Sequence, residues 1–220
     1  MLRDAFGLVF TIGKFFVGHD LHASARALLG FQPGFAAILG TGTNTCLYDG
    51  QSIIHHVDSG AHILGDEGSG FSIGKRLLID YMRGKMPAEI AEMFKQTYKL
   101  TNDQIHDSVY SKPLANRYFA AFSKFITQEN LKHKYLYNIV QQSFNSFFEE
   151  IVSQYPGYQN YKFNCIGSVG FNFRDILEKV AVQWVLQLGK ILKSPLVDLV
   201  SYHSKSFDQG QTSELDVLAS

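Results

Sequence analysis

Apolar and polar positions change period several times along the chain, and each change marks an element. Residues 8–18 read as the end of one element and a strand running into Val17. Asp20 then stands as an N-cap, followed by a small, helix-favouring run from His22 to Leu29. Gly30 sits where a left-handed residue closes a helix. The unbroken apolar run Phe35 to Gly40 predicts a buried strand, and the run to Tyr48 a second one, ended by the hairpin signal Asp49-Gly50. A third strand is predicted over Ile53 to Val57. After Leu64-Gly65-Asp66-Glu67-Gly68-Ser69-Gly70, residues Phe71, Ile73, Leu77, Leu78 and Tyr81 fall at helical spacing, so this acidic glycine loop opens onto a helix.

Residues 87–155 carry helical patterning almost throughout. Pro87 occupies a first turn, Thr101-Asn102-Asp103 supply caps, Pro113 makes a break, and an amphipathic run extends from Leu131 through Phe144, Phe147 and Phe148 to Val152. Tyr161 to Ile166 returns to strand pattern and Gly167-Ser168-Val169-Gly170 makes a turn. Phe173 to Leu192, which contains Trp184, reads as one long helix. Pro195 to His203 is expected to close the fold as a short strand or turn, and Ser204 to Ser220, rich in Ser, Gln, Asp and Gly, as a mobile tail. No repeat or Pro/Ser-rich linker divides residues 20–203, which predicts a single α/β unit.

Composition narrows the function. Among 220 residues, Lys+Arg and Asp+Glu balance at 20 each, so no overall field favours nucleic acid or an anionic membrane. The longest apolar stretch, Ala5 to Val17, is broken by Lys14 and falls short of the roughly 20 residues a membrane helix needs. Cys46 and Cys165 lie inside apolar runs without paired or metal-type spacing, which reads as buried thiols in a cytoplasmic protein. His19, His22, His55, His56 and His62 show no metal-ligand pattern either.

Three turns of small residues, at 40–44, 65–70 and 167–170, each end an apolar run or precede a helix. Backbone N–H groups in such turns can surround phosphate or sugar oxygens. Two familiar phosphate signatures fail by count: Gly74-Lys75 is followed by Arg76 with Ser69 at the first glycine position, and Gly40-Thr41-Gly42 has Thr45 where a dinucleotide fingerprint needs its third glycine. What remains is a hydroxyl-rich turn, Gly40-Thr41-Gly42-Thr43-Asn44, which can aim donors at terminal phosphates without a lysine.

These segments, Leu39 to Asn44, Leu64 to Gly70 and Ile166 to Gly170, appear in an order and spacing that resembles the N-acetylglucosamine kinase-like proteins, grouped with the BadF/BadG/BcrA/BcrD ATPases. The resemblance spans about residues 17–203 and implies an α/β, ribonuclease H-like lobe of the actin/hexokinase-type ATPase superfamily, with a helical insertion at about 75–155. Residues 1–32 would then be the remnant of an N-terminal lobe and the inter-lobe helix, residues 33–203 the C-terminal nucleotide-binding lobe, and 204–220 a flexible tail.

By the same resemblance, Gly40, Thr41, Gly42 and Thr43 would contact the terminal phosphates of ATP, and Gly167 and Ser168 the nucleoside. Asn44 would brace the turn or approach the sugar, Asp66 would contact the sugar, and Glu67 would serve as structural support or a water-mediated magnesium contact. Asp20 would be the catalytic base that takes a proton from the attacking hydroxyl. The implied activity is transfer of phosphate from ATP, carried with Mg2+, to the C6 hydroxyl of N-acetylglucosamine or a related amino sugar.

Two departures stand against that pattern. Family members begin with an Asp-Gly-Gly-Thr type turn in a separate lobe, and this sequence has none, so about 80 residues of the usual fold are expected to be missing, the size of a small domain. The lead-in Asp58-Ser59-Gly60-Ala61-His62 also replaces a Gly-Gly-Trp-Gly run. A homodimer or a separate lobe partner would cover the exposed apolar face. The alternative is a non-catalytic sugar- or nucleotide-binding remnant, or an ATPase-type regulatory module. Radical-enzyme activators are disfavoured because two isolated cysteines hold no cluster.

Overall fold

A computed structural model describes residues 8–9, 17–127 and 130–208. Leu8 and Val9 are helical, and the rest of the strand expected to run into Val17 lies largely outside the described residues. Helix α1 spans Asp20–Leu29, strands β1 Gly34–Leu39, β2 Thr43–Tyr48 and β3 Ile53–His55 follow, and a short helix α2, Ala61–Leu64, leads to α3, Gly70–Met82. The helical segment continues as α4 Ala88–Tyr98, α5 Asn102–Tyr110, α6 Ala115–Ala121 with a 3-10 turn at Phe122–Phe125, and α7 Lys134–Glu150. Strand β4, Lys162–Ile166, precedes α8 Ser168–Asn172, α9 Arg174–Gln183, β5 Gln187–Leu192 and α10 Leu196–Asp208.

The five strands form one mixed sheet in the order β3-β2-β1-β4-β5. β1 pairs antiparallel with β2 and parallel with β4, so the central strand has the antiparallel hairpins on one side and the crossover strands on the other. Alternation along β1 divides the core. Phe35, Ala37 and Leu39 face the helical layer with Phe144, Phe147 and Phe148, while Ala36, Cys46 and Tyr48 face α1 through Leu21, Ala25 and Leu28. This puts a large aromatic core on one face and a thin layer on the other.

The mixed α/β architecture with a helical layer agrees with the sequence reading, and Thr101 forms the expected cap, reinforced by Gln104 in a reciprocal capping box. Four local expectations are corrected. Asp20 is the first helical residue and not the N-cap, a position held by His19. The expected helix over Phe173 to Leu192 ends at Gln183. Val185 turns the chain with a positive φ, and Gln187–Leu192 pairs as β5 along β4, where a parallel ladder outweighs the helical period of Leu186, Ile191 and Leu192. Leu196–Asp208 is a helix that follows Pro195, so Ser204 to Asp208 belong to an ordered element; residues 209–220 lie outside the described set. β3 stops at His55, two residues short of Val57.

Asn164 shows how the right half of the sheet is set. Its buried side chain donates to the Phe35 and Lys162 carbonyls and accepts the Lys190 N–H at 2.8 Å, beside the irregularity in the β4–β5 register. One polar residue thereby ties three strands at the point where the ladder slips.

Candidate functional site

The C-terminal ends of β1 and β4 bring the three small-residue turns together. Within the first, the Gly40 N–H donates to the Gly42 carbonyl at 3.0 Å, which closes a tight reversal between β1 and β2. The start of α3 docks on this turn: the Gly70 N–H donates to the Gly40 carbonyl at 2.8 Å and the Phe71 N–H to the Thr41 carbonyl at 3.0 Å. Ser69 caps α3 by accepting from the Ser72 N–H, and its own hydroxyl donates to the Asp66 carbonyl. The acidic loop is therefore fastened at both ends.

Asp66 joins the two turns from the inside. It is buried, holds a left-handed φ of 63°, and its Oδ1 accepts the Thr43 N–H at 2.9 Å with the Thr43 hydroxyl at 3.4 Å. A charge-assisted bond of this kind contributes about 1.5–3 kcal/mol, enough to offset the roughly 1 kcal/mol that a non-glycine residue gives up in that conformation. A Cβ at Gly42 would stand 2.8 Å from the Asp66 carboxylate, so a side chain there would push that carboxylate out of its bond to Thr43. The third turn approaches as closely: Gly167 has φ 131°, and a Cβ on it would stand 2.2 Å from the Leu39 carbonyl.

Two supporting contacts were not legible in the sequence. The Tyr155 hydroxyl bonds the Thr45 hydroxyl at 2.8 Å and accepts the Val57 N–H at 2.9 Å, which pins β2 to the segment leading into the acidic loop. Burial pushes this phenol above its ordinary pKa, so it remains a neutral hydroxyl. Asn44 Oδ1 accepts hydrogen bonds from the Thr45 N–H and, at 2.9 Å, from His56 Nε2–H. With its oxygen doubly engaged, Asn44 presents its amide N–H groups as donors.

Beside the turns opens a cleft of about 490 Å³ lined by Gly40, Thr41 and Gly70, by Ser168 and Phe173, and by residues of α6 and the 3-10 turn after it. Within the described residues Thr41 spends neither its N–H nor its hydroxyl on a protein partner, and the Ser168 hydroxyl is equally unspent. A site with neutral donors at its floor, no carboxylate in its lining and apolar patches at Ile126, Val169 and Phe173 fits a nucleotide.

The sequence-derived residues thus fall into two groups. Gly40, Thr41, Gly42, Thr43, Asn44, Asp66, Gly167 and Ser168 lie in or against one cluster. Asp20 stands on the exposed first turn of α1, where its Oδ1 accepts the Leu21 N–H at 2.8 Å, and no hydrogen bond joins it to the turns. Among the described residues no group of three His, Cys, Asp or Glu could hold a metal ion. No helix of the described residues is long and apolar enough to cross a membrane.

No protein-family model matches the chain, and no curated protein matches it. Among solved structures, it is similar to a candidate N-acetylglucosamine kinase from Porphyromonas gingivalis, with 39% identity and a TM-score of 0.90 over 94% of this chain and 73% of that one. A candidate N-acetylglucosamine kinase from Chromobacterium violaceum superposes with a TM-score of 0.59 at 16% identity, over 84% of this chain and 64% of that one. The second likeness speaks for the fold alone.

Proposed function

The chain belongs to the N-acetylglucosamine kinase-like family, and from that premise we propose that it forms the nucleotide-binding lobe of an ATP-dependent amino-sugar kinase. The observation that carries this reading is the convergence of the three turns on the cleft with the unspent donors of Thr41 and Ser168. In the turn Gly40 to Thr43, Thr41 and Gly42 would offer backbone and hydroxyl donors to the terminal phosphates of ATP, Gly40 and Thr43 would shape the turn around them with their own N–H groups bonded within the protein, and Gly167 and Ser168 would let the nucleoside lie against the backbone. Asp66 has one carboxylate oxygen committed to Thr43, which leaves Oδ2 to accept a sugar hydroxyl, while Asn44 offers amide N–H groups to a sugar oxygen.

Asp20 is assigned as the general base. Its carboxylate is exposed and has no ion pair among the described residues. In the reaction the C6 hydroxyl oxygen of N-acetylglucosamine bonds to the γ-phosphorus, the bond from that phosphorus to the β–γ bridging oxygen breaks, ADP leaves, and the hydroxyl proton passes to Asp20. Mg2+ would screen the phosphate charge while the protein donors fix its geometry. In this reading residues 33–203 are the nucleotide lobe, residues 1–32 lead in from a second lobe, and that lobe closes the cleft against water. Ile63 and Leu64 stand exposed where the acidic loop begins, an apolar surface that such a lobe would cover.

The test is phosphate transfer from Mg-ATP to N-acetylglucosamine, measured on this chain alone and with a second lobe supplied. Transfer in the completed protein, abolished by Asp20→Asn with sugar binding retained, is the expected result. Unchanged turnover in the variant removes Asp20 from the role; ligand binding without transfer in either form replaces the kinase by a binding module.

A further inference from the structure

We propose that Arg117 and Lys124 are the cations that bind the polyphosphate of the nucleotide, in place of the phosphate-loop lysine this sequence lacks; the assignment rests on the nucleotide reading of the cleft. Both side chains line it, and its lining contains no carboxylate. They lie seven residues apart, on α6 and the 3-10 turn that continues it. The segment is α-helical to Ala121 and 3-10 beyond it, so seven residues make about two turns and bring the two positions to roughly the same side, on the order of 10 Å apart. Between them on that face stand Ala120 and Ala121, whose small side chains leave the space open.

Neither cation has an ion-pair partner among the described residues, although carboxylates do capture cations nearby: Lys112 binds Asp107 at 2.9 Å and Arg76 binds Asp80 at 3.0 Å. At the turns the lining supplies neutral donors, from Thr41 and Ser168. A polyphosphate placed in the cleft receives donors from the turns and charge from the α6 segment, whereas an uncharged ligand leaves both cations unanswered. The α6 segment is held in place at its base, because the Gly70 backbone lies against Ala120 and Ser123. The cations are therefore carried on an element seated against the phosphate turn itself.

Binding of Mg-ATP, Mg-ADP and adenosine to the full chain, measured by calorimetry at low and high salt for the unmodified protein, Arg117→Gln, Lys124→Gln, the double variant and Arg117→Lys, tests the assignment. The expected result is a loss of ATP affinity of about tenfold or more in the double variant, a smaller loss for ADP, adenosine affinity within about twofold, near-normal ATP affinity in Arg117→Lys, and a shallower salt dependence in the double variant. An equal loss for ATP and adenosine makes the pair structural and overturns the assignment, as does unchanged ATP affinity in the double variant. An unmodified chain that binds no nucleotide removes the functional reading itself and this assignment with it, so the two failures are distinct.

Discussion

The helical layer and the turn cluster are held by different physics. Around Phe94, side chains of Tyr81, Tyr98, Phe122 and Phe125 pack ring against ring with centroids 4.6–5.8 Å apart, and Phe144, Phe147 and Phe148 continue that core onto the sheet. Such a core depends on volume, and many apolar side chains can supply it. The turn cluster has almost no side-chain volume. It depends on carbonyls and N–H groups standing where no Cβ fits, fastened by Asp66 and Tyr155. Stability is thus concentrated in the insertion and the chemistry in the turns, with Phe147 at their junction, where a Cβ on Gly68 would stand 2.8 Å from its side chain.

Breaking the volume-dependent half should have the largest effect on stability. Phe147→Ala empties a fully buried site and is expected to lower the unfolding free energy by about 3–5 kcal/mol in chemical denaturation; a loss below about 1 kcal/mol would mean that the core collapses around the gap. Gly167→Ala attacks the other half. Its positive φ and the Leu39 carbonyl in its path predict a loss of about 1–3 kcal/mol together with loss of nucleotide binding, whereas a stable variant with normal binding would show that the third turn takes no part in the site.

Smaller changes sharpen the contrast. Tyr155→Phe keeps the ring and removes the bonds to Thr45 and Val57, so about 1 kcal/mol is expected, with faster amide exchange at residues 43–57 and none in α4. The cysteines probe the sheet without altering it. Burial pushes both thiols up to about 12 from 9.0, so neither should react with a thiol reagent near pH 8 until the chain unfolds. The sign for stability follows: the thiols are protonated in both states below the unfolded pKa, and stability declines as pH rises from about 9 toward 12 because only the unfolded chain releases the protons. Rapid labelling of the native protein at pH 8 would contradict the burial.

The sequence carried the turns well and the long-range pairings poorly. The reversal at Asp49-Gly50, the cap at Thr101 and the glycine turns are local signals, readable because the residues that make them lie within a few positions of one another, although the two-residue hairpin expected at Asp49-Gly50 is a four-residue connection running to Ser52. β5 was hidden because its partner β4 lies more than 20 residues away, and a period suited to a helix says nothing of that ladder. Arg117, Lys124, His56 and Tyr155 were hidden for a related reason. His56 and Tyr155 bond to β2 beside the first turn, and Arg117 and Lys124 line the cleft, each from a distant stretch of chain, and no motif spacing announces such a meeting.

The central claim is that these three turns together bind a nucleotide. Hydrogen exchange with and without Mg-ATP tests it most directly, since it reads every backbone N–H at once. The account predicts slowed exchange at residues 40–44, 65–70 and 167–170, with the hairpin at 49–52 unchanged; protection confined to other segments, or none at all at saturating nucleotide, would contradict it.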